Sequence, residues 1–66
     1  MKPANNVISK TLAVIRAFTD CQPRWGVNEL AKYLQLPTTT VHRILQTLKE
    51  EDLLSVSPED GKYVFG

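Results

Sequence analysis

Sulfur and imidazole chemistry are almost missing from this sequence. Cys21 is the only cysteine among its 66 residues, so neither an internal disulfide nor a cysteine-based metal site can form. His42 is the only histidine, and no second ligand stands one helical turn beyond it, so no metal is expected. Cys21 and His42 lie in different segments, and no carboxylate pair falls in a candidate cleft. Catalysis therefore finds no support, and no cofactor is implied. Three glycines are too scattered to build a phosphate loop. No apolar run approaches the ~18 residues a membrane span needs. The opening Met1-Lys2-Pro3-Ala4-Asn5-Asn6 lacks the apolar stretch of a signal peptide. A cytoplasmic protein fits these absences. Net charge is only +1, little for a chain that meets a polyanion.

What is present is a domain-sized pattern. A chain this short makes one small domain and buries about 60% of its unfolded surface, so modest stability is expected. Residues 1–6 read as a flexible tail and 7–66 as the domain. The organising stretch runs from Leu36 to Leu53. Val41, Ile44, Leu45 and Leu48 recur at i, i+3, i+4 and i+7, which makes one apolar stripe on a helix. Thr39, Arg43, Gln46 and Glu50 fall on the opposite face, flanked by Thr40, His42 and Thr47. Pro37 suits a helix entry, and the helix is expected over Pro37–Glu51. Thr38, Thr39 and Thr40 cluster hydroxyls at a helix N-terminus, where unpaired N–H groups and the dipole favour phosphate. No carboxylate appears on this face before Glu50. Such a face suits phosphates and base edges; an ordinary amphipathic surface helix would show the same apolar stripe.

Charge is unevenly placed. Residues 24–49 hold Arg24, Lys32, Arg43 and Lys49 against Glu29 alone, whereas residues 50–60 hold five acids and no base. Nucleic acid should approach the helix N-terminus and avoid its far end.

Upstream, Asn5 or Asn6 can cap a first helix over Val7–Thr19. Its inner face is expected to be Ile8, Thr11, Leu12, Ile15 and Phe18, widened by Val7 and Val14 and extended by Ala13 and Ala17. That arc is broader than one small core requires. Either the helix is mostly buried, or a partner helix packs on its outer side. Asp20-Cys21-Gln22-Pro23 breaks the helix. Arg24-Trp25 is too short to assign, though Trp25 suits a partly buried anchor. Gly26 with Glu29 sets a capping-box start for a second helix over Val27–Leu34, with Val27, Leu30, Ala31 and Leu34 inward. Two short helices, a tight turn at Gln35-Leu36 and the polar-faced helix form a helix-turn-helix pattern. After Leu53 the period changes to 2: Leu54 and Val56, then Tyr63 and Phe65, with Asp60-Gly61 as a hairpin signal between them. The expected fold is mainly α with a two- or three-stranded hairpin, a winged helix-turn-helix.

With these residues placed, the chain resembles the DNA-binding domain of IclR-type bacterial transcriptional regulators. The likeness lies in Ile8 to Phe18, Asn28-Glu29-Leu30-Ala31-Lys32, Leu36 to Leu45, and Asp60 to Gly66. It implies a domain that binds double-stranded operator DNA as a homodimer, or a higher oligomer in the full-length protein. It also implies a larger C-terminal domain, absent from these 66 residues, that binds a small effector. Gln35 and Asp52 stand where the family often has Gly, Gly26 replaces a hydroxyl cap, and Ser55 and Ser57 occupy a strand that is often more basic. Arg43 is the leading candidate for a base contact, with Thr39, Gln46 and His42 beside it. Thr38 and Thr40 are candidates for phosphate, as is Lys62 from the wing. Val7, Thr11, Val14, Ala17 and Phe18 of the first helix are candidates for the dimer contact. The other open reading is a winged helix used for protein–protein contact without DNA. The large apolar anchors such an interface favours are missing from the face that carries Thr39, Arg43 and Gln46.

Overall fold

Alternating hydrophobic periods dictate two kinds of element, and both form. The computed structural model describes residues 7–65. The chain runs α1 (Val7–Arg16), a π-helical turn (Ala17–Cys21), β1 (Arg24–Trp25), α2 (Val27–Leu34), α3 (Thr38–Glu50), β2 (Leu54–Val56) and β3 (Tyr63–Phe65). The antiparallel sheet has the order β1-β3-β2. Arg24 pairs with Val64 and Trp25 with Tyr63 on one side of β3; Leu54 pairs with Phe65 and Val56 with Tyr63 on the other. This is a winged helix-turn-helix with a three-stranded sheet. The Asn5 or Asn6 cap lies outside the described residues.

The core gathers one face of each helix under the sheet. Val14, Leu30, Val41 and Leu45 are the largest fully buried side chains, and each stabilises the fold by roughly 1.5–3 kcal/mol. Ile44 and Leu48 extend the α3 stripe inward, as its period requires. Trp25 and Tyr63 close the core from the sheet. Trp25 is wholly buried rather than partly so, and its ring meets Tyr33 at 5.0 Å.

The first helix departs from its expected form in two ways. It continues two residues past Thr19, because its last turn widens to the π form. The Ala17 carbonyl then accepts from the Gln22 N–H at 3.2 Å and from Trp25 Nε1–H at 3.1 Å. A single carbonyl so joins the helix end to the buried indole. Its facing also differs. The core takes Val14, Ala17 and Phe18, while Ile8 and Leu12, expected inside, are 71% and 51% exposed. The arc satisfied a helical period on either side, and the position of Trp25 and α3 decides which side is inner.

Two turns depend on left-handed backbone at residues other than glycine. Gln35 has φ 58° and Asp52 has φ 66°. After α2, the N–H groups of Gln35 and Leu36 return to the Lys32 and Ala31 carbonyls. After α3, those of Asp52 and Leu53 return to Lys49 and Leu48. Both helices therefore end in the same reverse-bonded motif, each at a steric cost of ~1 kcal/mol that glycine would avoid. Gly61, at φ 72°, supplies the third such turn at the wing tip.

Candidate nucleic-acid interface

Helix α3 is positioned by its buried stripe, and that stripe turns a polar face outward. Pro37 precedes the helix in extended backbone with φ −61° and ψ 144° and makes no side-chain cap bond. The first N–H groups of the helix have no intrahelical partner, and Thr38 and Thr39 beside them are exposed. Thr38, Thr39, His42, Arg43, Gln46 and Thr47 are exposed, and Thr40 is half-buried. Thr47 donates its hydroxyl to the Arg43 carbonyl at 3.0 Å, so it serves the helix backbone. Among the described residues Arg43 enters no ion pair. Its guanidinium is available to a planar acceptor pair.

Two shallow grooves meet at Arg43. One, of about 530 Å³, is lined by Val27, Thr38, Thr39, His42 and Arg43. The other, of about 420 Å³, lies between α1 and α3 and is lined by Val7, Lys10, Thr11, Thr40, Arg43, Ile44, Thr47 and Leu48. Thr38 and Thr40, expected to act together, therefore belong to opposite sides of the helix. Lys10 stands in the second groove and was not among the sequence-based candidates. The signal was present: Lys10 and Val14 lie one turn apart on α1, so the neighbour of a core residue borders α3. Among the described residues Lys10 has no acidic partner.

The wing carries its cations differently. Lys62 Nζ lies 3.5 Å from Glu29 Oε1, and Arg24 Nη1 lies 3.0 Å from Asp60 Oδ2. Glu29 also accepts the Gly26 N–H at 3.2 Å, which completes the start of α2. That backbone bond, then the Gln22 amide and Lys62, hold its carboxyl below the usual range. The Lys62 N–H, then Arg24, do the same for Asp60. Ser57, expected to alternate with Val56 along the strand, lies just past β2 and is buried. Its N–H bonds to the Lys62 carbonyl at 2.8 Å and its carbonyl accepts from Gly61 at 2.9 Å, so it closes the wing turn.

Of the dimer candidates, Val14, Ala17 and Phe18 are core residues with no surface to offer a partner. Phe18 packs instead near Phe65, with ring centroids 6.4 Å apart. Val7 is exposed and Thr11 half-buried, its hydroxyl donated to the Val7 carbonyl at 2.8 Å. The apolar surface that α1 does expose is Val7, Ile8 and Leu12.

The IclR helix-turn-helix domain model matches residues 7–58. The chain belongs to that family. An IclR-family transcriptional regulator from Brucella abortus superposes with a TM-score of 0.81 at 30% identity, covering 89% of this chain and 22% of that one. An IclR-family transcriptional regulator from Rhodococcus sp. superposes at 0.82 with 25% identity, covering 98% and 25%. Pseudomonas aeruginosa HmgR shares the fold at 0.79 with 22% identity, covering 89% and 24%. The chain thus spans about a quarter of the length of these structures or less. No curated protein matches it. Family membership makes this IclR domain a DNA-binding module of transcription regulation.

Proposed function

We propose that the domain reads operator DNA by laying the N-terminal half of α3 in the major groove, with two copies bound to a pseudo-palindrome. The outer face of α3 carries this proposal: Arg43 is unpaired among the described residues, exposed donors surround it, and no carboxylate lies on that face before Glu50. Arg43 makes the principal base contact, in the manner of arginine on guanine. Thr39, His42 and Gln46 read neighbouring edges. Thr38 meets the backbone on one side of the groove, and Thr40 with Lys10 meets it on the other. Glu50 and Glu51 at the far end keep the helix from lying flat along the duplex.

The dimer contact falls on the outer strip of α1, where Val7 is 70% exposed beside Ile8 and Leu12. A second copy would remove that strip from water, and two-fold symmetry is the commonest arrangement for doing so. Two recognition helices would then lie about 34–36 Å apart in successive grooves. So small a contact scarcely offsets the entropy of association, so DNA brings the copies together.

The deciding experiment is an electrophoretic shift with random genomic fragments at low salt, followed by competition with the enriched sequence. Enrichment of paired half-sites supports the proposal; equal retention of all fragments defeats sequence reading. Leu12→Glu, with folding checked by circular dichroism, should reduce binding to the full palindrome towards that of a half-site. Intact cooperative binding would move the dimer contact elsewhere.

A further inference from the structure

Tyr63 lies on β3, the middle strand of the sheet, paired with Trp25 on one side and Val56 on the other, and is buried. Its hydroxyl reaches the recognition helix and donates to Gln46 Oε1 at 3.4 Å. Gln46 is exposed and shares the outer face of α3 with Thr39 and Arg43. An amide is planar, and its oxygen and nitrogen point in different directions. With the Tyr63 phenol donating to Oε1, the NH₂ end of the Gln46 amide is the one left to face outward.

We propose that Tyr63 is a positioning residue for base recognition. It occupies the Gln46 carbonyl and presents the Gln46 NH₂ group to the groove. The inference rests on the major-groove placement of α3 proposed above. A glutamine free to use both ends reads adenine by a two-point contact at N6 and N7. One whose carbonyl is already engaged acts as a donor, and suits the acceptors of guanine or thymine. Through Tyr63 the wing strand thus takes part in sequence choice without itself contacting a base. The contact is long for an O–H···O bond, so its effect on base preference should be small, roughly 2- to 5-fold.

The test selects bound duplexes from a randomised pool with the wild-type chain, Tyr63→Phe, Gln46→Ala, Gln46→Glu and Arg43→Ala, and records the melting temperature of each. Gln46→Ala should flatten the preference at one base pair per half-site. Tyr63→Phe should raise adenine at that same pair, roughly 2- to 5-fold, and leave other positions unchanged. Gln46→Glu keeps the acceptor for the phenol and turns the outward atom into an acceptor, so the preference there should move to cytosine. A Tyr63→Phe profile identical to wild type, with a lowered melting temperature only, overturns the inference and leaves Tyr63 as a packing residue. If Arg43→Ala flattens a position while Gln46→Ala flattens none, the positioning role fails and the major-groove reading stands. If the wild type enriches nothing, both fail. Should Tyr63→Phe not fold, the Gln46→Glu arm decides alone: an unmoved preference overturns the inference.

Discussion

The wing and the surface formed by α3 with α1 both carry basic side chains, but they use them in opposite ways. Arg43 and Lys10 face open grooves with no acidic partner among the described residues. Lys62 and Arg24 lie against Glu29 and Asp60 and tie the wing to α2 and to β1. A polyanion meets free charge at the helix, whereas at the wing it must first displace a carboxylate. A net charge of +1 is therefore a poor guide to where phosphate can bind. What matters is which cations the fold has already paired.

The largest effect should come from removing the free guanidinium. Arg43→Ala is expected to cost ~1–3 kcal/mol of discrimination at one base pair, read by titration of the enriched duplex and of a random one. Unchanged affinity for both would remove Arg43 from the interface. Lys10→Ala should come next: it should weaken all sequences alike and lower the slope of log K against log salt by about 0.9. A full slope would place α1 away from the backbone.

Lys62→Ala should move the slope by less than that, because the wild-type lysine already has a counter-charge. Glu29→Gln sharpens the contrast. It releases Lys62, so substituting Lys62 in that background should now lower the slope by nearly the full amount. Equal effects in both backgrounds would mean that the ion pair does not restrain Lys62. The smallest effect is on stability. The carboxyls of Glu29 and Asp60 are held below their ordinary range, so their contribution is present above that range and lost as pH falls through the lowered folded values. Both pairs are exposed, and exposed pairs contribute little. The melting temperature should fall slightly more for wild type than for the Glu29→Gln, Asp60→Asn double variant as the buffer is taken from neutral into that acidic range. Parallel declines would show that neither pair contributes.

These contrasts were only partly legible in the sequence. The stripe Val41, Ile44, Leu45 and Leu48 has one solution, so the facing of α3 followed from its period. Val27 to Leu34 was equally constrained, since Gly26 and Glu29 mark its start. Positive φ at Gln35 and Asp52 was suggested by family positions where glycine is common. The facing of α1 was not legible, because Ile8 and Leu12 fit an apolar face as well as Val14 and Phe18 do. Only the tertiary target, the indole of Trp25 bound to the Ala17 carbonyl together with α3 packed against α1, selects between them. Two residues cannot show a period, so β1 was invisible. The ion pairs Glu29–Lys62 and Arg24–Asp60 and the Tyr63–Gln46 bond join distant segments, and no local pattern encodes them. The outward polar residues of α3 could be named from spacing, but their division between two grooves could not.

The order of the strands also matters for how the chain is made. The central strand of the sheet, β3, is the last of the three strands to leave the ribosome, and both outer strands depend on it for their hydrogen bonds. All three helices precede it and can pack locally while synthesis continues. Until Tyr63 to Phe65 emerge, β1 and β2 are unpaired edges, and Trp25 lacks its partner across the sheet. A nascent chain stalled before Tyr63 should therefore show helical structure but an accessible indole. Release of a few more residues would bury it, and tryptophan fluorescence on chains arrested at successive lengths would report that step.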